Sequence, residues 1–180
     1  MDLTTDVLFA DGQDNMAGLT KRLFLGFASA FTTLSTPAAS PTTYEGRVTI
    51  SDDHVLATGK KTIELYIMYD KSMIESPSVG GRKGKSWKPK ITAFYPGTDP
   101  QCTGLIDTLK NADLIGFAEP QEDAAYYLQV GTKKLPLSLV NGSWKSGTGP
   151  EGEKGITFEL EAPSQRPVYF YTGDLPRVGA

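Results

Sequence analysis

Residues 61–69 (KTIELYIMY) alternate apolar and polar side chains for the full length of a strand, and this period of two decides the class of fold. Ile63, Leu65, Ile67 and Tyr69 fall on one face, and Thr62, Glu64, Tyr66 and Met68 on the other. The alternation returns in residues 156–162 (ITFELEA), with Ile156, Phe158 and Leu160 opposite Thr157, Glu159 and Glu161. In residues 19–31, Leu23, Leu25 and Phe27 alternate and Gly26 argues against a helix. Shorter β runs are expected at 44–50, 91–95, 112–117, 126–130, 135–140 and 168–171. The segment 32–43 reads as a loop, Asp52-Asp53-His54 as a turn, and Asn141-Gly142 as a hairpin turn ahead of Ser143-Trp144.

One helix interrupts the strands. Asp99 suits its N-cap and Pro100 its first position, where the missing N–H costs nothing. Cys102, Leu105, Ile106 and Leu109 then share a face, and Asn111 can close the helix in the left-handed conformation. Many short strands with one helix, no βαβ alternation and no internal repeat predict an all-β fold. The expected form is a β-sandwich or partly closed barrel with the helix at its flank. The organisation is an N-terminal arm (1–17), one β domain (18–173) and a C-terminal tail (174–180).

Between the strand at 61–69 and the next β run lies a long basic segment, residues 72–90 (SMIESPSVGGRKGKSWKPK). Loops beyond about 12–15 residues in compact domains usually bind something or stay disordered. Arg82, Lys83, Lys85, Lys88 and Lys90 contribute +5 to a chain of net charge −3, so the remainder carries −8. A cationic arm on an acidic body suits head-to-tail contact between identical molecules. Gly80, Gly81, Arg82, Lys83, Lys85, Trp87 and Lys88 are the expected contact residues, with Trp87 as anchor.

Catalysis has little to draw on. The chain holds a single His and a single Cys. His54 reads as an exposed turn residue with no second histidine to complete a metal site, and Cys102 as part of the helix's apolar stripe. Residues 80–86 resemble a phosphate-binding loop only briefly: Val79 stands where the first glycine belongs, and Trp87-Lys88-Pro89-Lys90 follows instead of a helix. No nucleic-acid-binding motif accompanies the basic segment. Glu159 and Glu161, about 7 Å apart on one strand face, fit glycosidase geometry only loosely. No catalytic, metal or cofactor site is expected. One cysteine allows no internal disulfide, consistent with a reducing compartment. The N-terminus lacks the pattern of a signal peptide, and no apolar run approaches the ~20 residues of a membrane span.

The segment from about 61 to 173 resembles the major tail (tail tube) proteins of long-tailed bacteriophages. The features that carry the resemblance are the strand at 61–69, the long loop, and a strand ending in Phe94-Tyr95-Pro96-Gly97-Thr98. The helix follows, then Ala112-Asp113-Leu114-Ile115-Gly116-Phe117. The pattern closes with Gly155-Ile156-Thr157-Phe158-Glu159-Leu160 and Pro167-Val168-Tyr169-Phe170-Tyr171-Thr172-Gly173, and Asp14-Asn15-Met16-Ala17-Gly18-Leu19 fits the opening of some members. The resemblance implies a structural virion protein, made in the host cytoplasm, forming hexameric rings stacked into a tube. Each subunit would lend strands to an inner β-barrel through which DNA and a tape measure protein pass. The long loop and the termini (1–15 and 175–180) would contact neighbouring subunits and other tail proteins. On that expectation Glu64, Glu159 and Glu161 line the lumen, where carboxylates repel phosphates and let DNA slide. Two alternatives are a tail terminator ring and a carbohydrate- or receptor-binding β-sandwich presenting Tyr126, Tyr127, Trp144, Tyr169 and Tyr171.

Overall fold

A computed structural model describes residues 6–7, 16–122, 124–175 and 177. The expected N-terminal arm and C-terminal tail therefore lie largely outside the described residues. The first strands are β1 (Leu19–Phe27), β2 (Phe31–Thr33), β3 (Thr49–Ile50), β4 (Val55–Leu56) and β5 (Ile63–Tyr66). Then come β6 (Met73–Glu75), β7 (Ser78–Val79), β8 (Ser86–Trp87) and β9 (Lys90–Tyr95), followed by the helix α1 (Pro100–Leu109). The chain continues with β10 (Leu114–Pro120), β11 (Tyr127–Val130), β12 (Ser138–Lys145), β13 (Gly155–Glu161) and β14 (Tyr169–Tyr171).

These strands form a six-stranded sheet, β3-β14-β11-β10-β1-β5, and a four-stranded sheet, β12-β13-β9-β6. Two ribbons, β2-β4 and β7-β8, complete the β structure. Among the described residues every strand pairing is antiparallel except β14 with β3, and there is a single α-helix. The all-β class is what forms. No sheet of the described residues closes into a barrel, so the architecture is one of open sheets.

The two large sheets share a core. Leu19, Leu23, Leu25, Leu65, Leu114 and Ala118 from the six-stranded sheet meet Ile91, Ala93, Ile156, Phe158 and Leu160 from the four-stranded one. Helix α1 carries the chain from one sheet to the other and adds Cys102 and Leu109, with Leu105 and Ile106 half-buried beside them. Its start is built as the sequence predicts: the Asp99 carboxylate accepts the Cys102 N–H at 2.9 Å. Its end is not. Asn111 keeps negative φ, and the Ala112 N–H closes the helix on the Leu109 carbonyl instead.

The six-stranded sheet is covered on its other face as well. Phe24, Ile115 and Phe117 point away from the first core into a second one, with Ala28, Ala30, Phe31, Ile50, Leu56 and Tyr171. Thus β10 and residues 23–26 of β1 are buried on both faces, which explains why Leu114–Pro120 reads as a nearly continuous apolar run rather than an alternation. The covering layer comes from residues 28–60, which the sequence reading treats as a loop, a strand and a turn. Within it, 44–50 is not one strand but a 3-10 turn (Glu45–Arg47) followed by the two residues of β3. Glu45 and Gly46 make a turn because the Thr43 hydroxyl accepts the Gly46 N–H and the Glu45 carbonyl accepts the Val48 N–H.

Two further expectations are corrected. Asn141 and Gly142 do not turn: they sit inside β12, opposite Glu159 and Phe158, beside an irregularity in register between Leu139 and Asn141. The reversal falls at 146–154, where Gly147 and Gly149 supply positive φ (81° and 69°). The strand at 61–69 is also shorter than its alternation. Strand pairing with β1 covers Ile63–Tyr66, the Ile67 N–H adds one bond to the Lys21 carbonyl, and Tyr69 begins a 3-10 turn with its ring exposed.

Gly26 has a packing role that its neighbours define. A Cβ there would lie 2.6 Å from Cε2 of the buried Phe31 ring. Gly26→Ala therefore forces a rigid ring out of place and should cost about 1–3 kcal/mol, an overpacking penalty. Urea denaturation of the variant should show a lower midpoint with an unchanged slope.

Candidate functional site

The basic segment 72–90 is not one long loop. It contains the edge strand β6 and the β7-β8 hairpin, leaving residues 80–85 as the tip. Strand β8 is tied to the body: the Trp87 N–H donates to the Ser164 carbonyl, and the Ser164 N–H donates back to Trp87, both at 2.8 Å. Trp87 is consequently half-buried in its own chain rather than a free anchor. The sequence signal was masked because Ser78–Val79 and Ser86–Trp87 are two-residue strands, too short to show a period.

The cations of this segment divide into two sets. Lys88 pairs with Glu161, and Lys90 with Glu75 at 2.9 Å. The hydrogen bond from Glu75 holds the Lys90 ammonium above its ordinary pKa. Among the described residues, Arg82, Lys83 and Lys85 make no ion pair, and all three are exposed at the tip beside Gly80 and Gly81. The tip closes through the Gly84 N–H donating to the Gly81 carbonyl at 3.1 Å, with Lys83 at φ 65° in the third place of the turn. That left-handed geometry favours glycine.

Glu64, Glu159 and Glu161 are not brought together. Glu64 lies on the outer face of the six-stranded sheet beside Phe24, where Arg22 Nε and Arg177 Nη1 each reach its carboxylate at 2.7 Å. The hydrogen bond from Arg22, with Arg177 adding to it, holds this carboxyl below the usual range. Both guanidinium groups also stack over the Phe24 ring, at 4.9 and 4.7 Å. Glu159 and Glu161 stand on the opposite side of the molecule, on the outer face of the four-stranded sheet, cross-strand from Thr92 and Lys90. A single surface can include the Glu159 and Glu161 pair or Glu64, never all three.

The sheet edges are the other distinctive surfaces. Strand β12 bounds the four-stranded sheet on one side, with Val140 50% and Trp144 54% exposed. Strand β6 bounds it on the other, with Met73 49% exposed. The aromatic platform of the binding-module alternative does not form. Tyr171 is fully buried, Tyr127 and Tyr169 pack against the second core, and Tyr126 lies against Phe170 and donates to Glu122. Trp144 belongs to the other sheet.

His54 is the largest departure from expectation: it is 4% exposed, not a surface turn residue. Its ring stacks on Tyr171 at 4.1 Å and meets the edges of Phe31 and Phe117. Nδ1 accepts the Ser35 N–H at 3.0 Å, and Nε2 bonds Gln129 Oε1 at 2.8 Å. Since Nδ1 accepts, the proton sits on Nε2, and the ring is neutral. Burial pushes its pKa below 6.5. No local pattern could have shown this, because Ser35, Gln129 and Tyr171 come from remote parts of the chain. Cys102 is buried as expected, and burial pushes its thiol up to about 11. Among the described residues no group of His, Cys, Asp and Glu is arranged to hold a metal ion. No helix in them is long and apolar enough to cross a membrane.

The chain matches no protein-family model, no curated protein and no solved structure.

The turn geometry at the hairpin tip generates a direct test. Lys83→Gly removes the left-handed penalty of a side chain, worth on the order of 1 kcal/mol. It should raise the melting temperature slightly, as read by circular dichroism.

Proposed function

We propose that this chain is a structural subunit that closes into rings by joining its four-stranded sheet to that of the next copy, as expected of a phage tail tube protein. One observation carries the reading: among the described residues the four-stranded sheet ends in strands that pair on one side only and expose apolar side chains, Val140 and Trp144 on β12 and Met73 on β6. Free edges of this kind are templates for pairing with another chain. Because the two edges differ, pairing β12 of one copy with β6 of the next is head-to-tail, and a head-to-tail contact that closes makes a ring.

Such a ring would continue the outer face of this sheet into its lining. By register that face carries Ser138, Asn141, Ser143, Lys145, Thr157, Thr92, Phe94, Met73, Glu75, Glu159 and Glu161, with Lys90 among them. Its three carboxylates are matched by Lys90, Lys145 and the Lys88 that pairs with Glu161, so it would offer DNA phosphates no net attraction. Glu64, on the other sheet, would face outwards, and so leaves the lining assigned to it from sequence. The tip cations Arg82, Lys83 and Lys85 would meet acidic surface on a neighbouring subunit or ring. Tape measure and other tail proteins would be the further partners, and the virion tail the location.

Electron microscopy and sedimentation velocity of the concentrated protein test this reading. Rings or tubes are expected from the wild-type chain. Val140→Lys with Trp144→Lys should leave a folded monomer, because paired charges on β12 oppose edge addition. Arg82→Glu with Lys85→Glu should stop stacking while leaving the circular dichroism spectrum intact. A wild-type protein that stays monomeric near millimolar concentration would refute the proposal.

A further inference from the structure

The buried histidine holds down a surface loop through a bond that only its neutral form can make. The chain leaves β2 at Thr33 and runs over the surface through Leu34, Ser35 and Pro41 before the Glu45–Arg47 turn. Beneath it is a cavity of about 290 Å³, lined by Leu34, Thr36, Thr132, Gln165 and Tyr169 among others. A second cavity of about 280 Å³ shares Thr36, Thr132, Gln165 and Tyr169 and is roofed by residues 35–39. The loop is thus the wall between two hollows.

Its better shielded tie, part-buried, is the Ser35 N–H donating to His54 Nδ1 at 3.0 Å. A second tie, from the Ser35 hydroxyl to the Asp53 carbonyl, is solvent-exposed and holds weakly. Lys133 fixes only the loop's beginning, donating to the Phe31 and Thr32 carbonyls. Protonating Nδ1 turns the acceptor into a donor facing another donor. The Nε2–H bond to Gln129 and the stack on Tyr171 both survive that change.

We propose that protonation of His54 is an acid-triggered release for the 34–41 loop, opening the groove floored by Thr132, Gln165 and Tyr169. The groups that face the ring leave it as the element that responds. Gln129 on β11, Phe117 on β10 and Phe31 on β2 carry no charge, and Ser35 presents only its N–H. Tyr171 on β14 is held above its ordinary pKa, chiefly by burial, and its hydroxyl is occupied by the His54 N–H and the Asp174 carbonyl. Asp53 favours the charged ring, but its carboxylate accepts the Asp174 N–H at 2.9 Å. Asp52 is exposed, and Lys133 at the loop's start is held on the Phe31 and Thr32 carbonyls.

The pH window follows from the sign of the shift. The folded-state pKa lies below 6.5, so the unfolded chain, or an opened loop, binds the proton more readily. The closed form is fully favoured above 6.5 and loses ground as pH falls from there to the folded pKa. This is the chain's only histidine. The carboxyls with shifted pKa, Glu64 and Asp99, are moved downwards and titrate at lower pH.

Amide hydrogen exchange of the full chain, corrected for intrinsic rates, tests the proposal independently of any assembly. Between pH 7.5 and 5.0 the residues of the loop should exchange at least tenfold faster, while β1 and β10 stay protected. His54→Phe keeps an aromatic ring against Tyr171 but has no Nδ1, so its loop should exchange rapidly at both pH values. Unchanged wild-type protection, or a Phe variant with the wild-type pH response, would overturn the idea. If the variant does not fold, nitrogen-15 NMR of the wild-type ring decides. The Nε2–H tautomer should be present at pH 7.5, with the Ser35 amide and the ring titrating at one midpoint below 6.5. An Nδ1–H tautomer or two separate midpoints would be fatal.

Discussion

The pairing of β1 with β10 is the contact on which the rest of the molecule depends. These two strands are neighbours from Leu19 opposite Pro120 to Phe27 opposite Leu114, with a register shift between Leu19 and Leu23, and both faces are buried over Leu23–Gly26 of β1 and most of β10. One face presents Leu23, Leu25 and Leu114 to the four-stranded sheet, and the other presents Phe24, Ile115 and Phe117 to the layer formed by residues 28–60. Each fully buried large side chain is worth about 1.5–3 kcal/mol. The ribbon therefore anchors two cores at once, and neither core exists without it. Gly116 adds to this by leaving room for Ile91 and Leu137 to reach the sheet, since a Cβ there would lie 2.8 and 2.9 Å from their terminal methyls.

With most of β10 and the middle of β1 covered, the exposed apolar side chains of the two large sheets collect at the margins. Val140, Trp144, Met73 and Tyr66 all lie on edge strands, whereas the large apolar side chains of the strands between them are buried or half-buried. The asymmetry between a saturated centre and unsatisfied rims favours contact through edges over contact through faces. It also separates the tasks of the charged residues. Glu64 is committed to Arg22 and Arg177 on one side, and Glu161 to Lys88 on the other, leaving Arg82, Lys83 and Lys85 as the cations of the hairpin free to face a partner.

What was legible in the sequence was whatever a local rule determines. Alternation in Ile156, Phe158 and Leu160 and the Asp99-Pro100 start of α1 both correspond to what the chain does, because pleat and capping act over a few residues. Asn141-Gly142 failed as a turn because seven cross-strand partners on β13 outweigh the preference of two residues. The layer over residues 28–60 was invisible for a different reason. Its strands are two or three residues long, and their order comes from the aromatic surface of β1 and β10 beneath them. His54 shows the limit most clearly: flanking aspartates mark a turn, yet Gln129 and Tyr171, far along the chain, set its environment.

The buried thiol of Cys102 carries one last consequence. It is the chain's sole sulfhydryl, and burial against the helix-side core keeps it protonated at any physiological pH. A thiol in that state neither attacks nor is readily oxidised. A disulfide through this sulfur would first require the helix to lift from the core. Alkylation of that sulfur becomes a chemical clock for how often the helix lifts away.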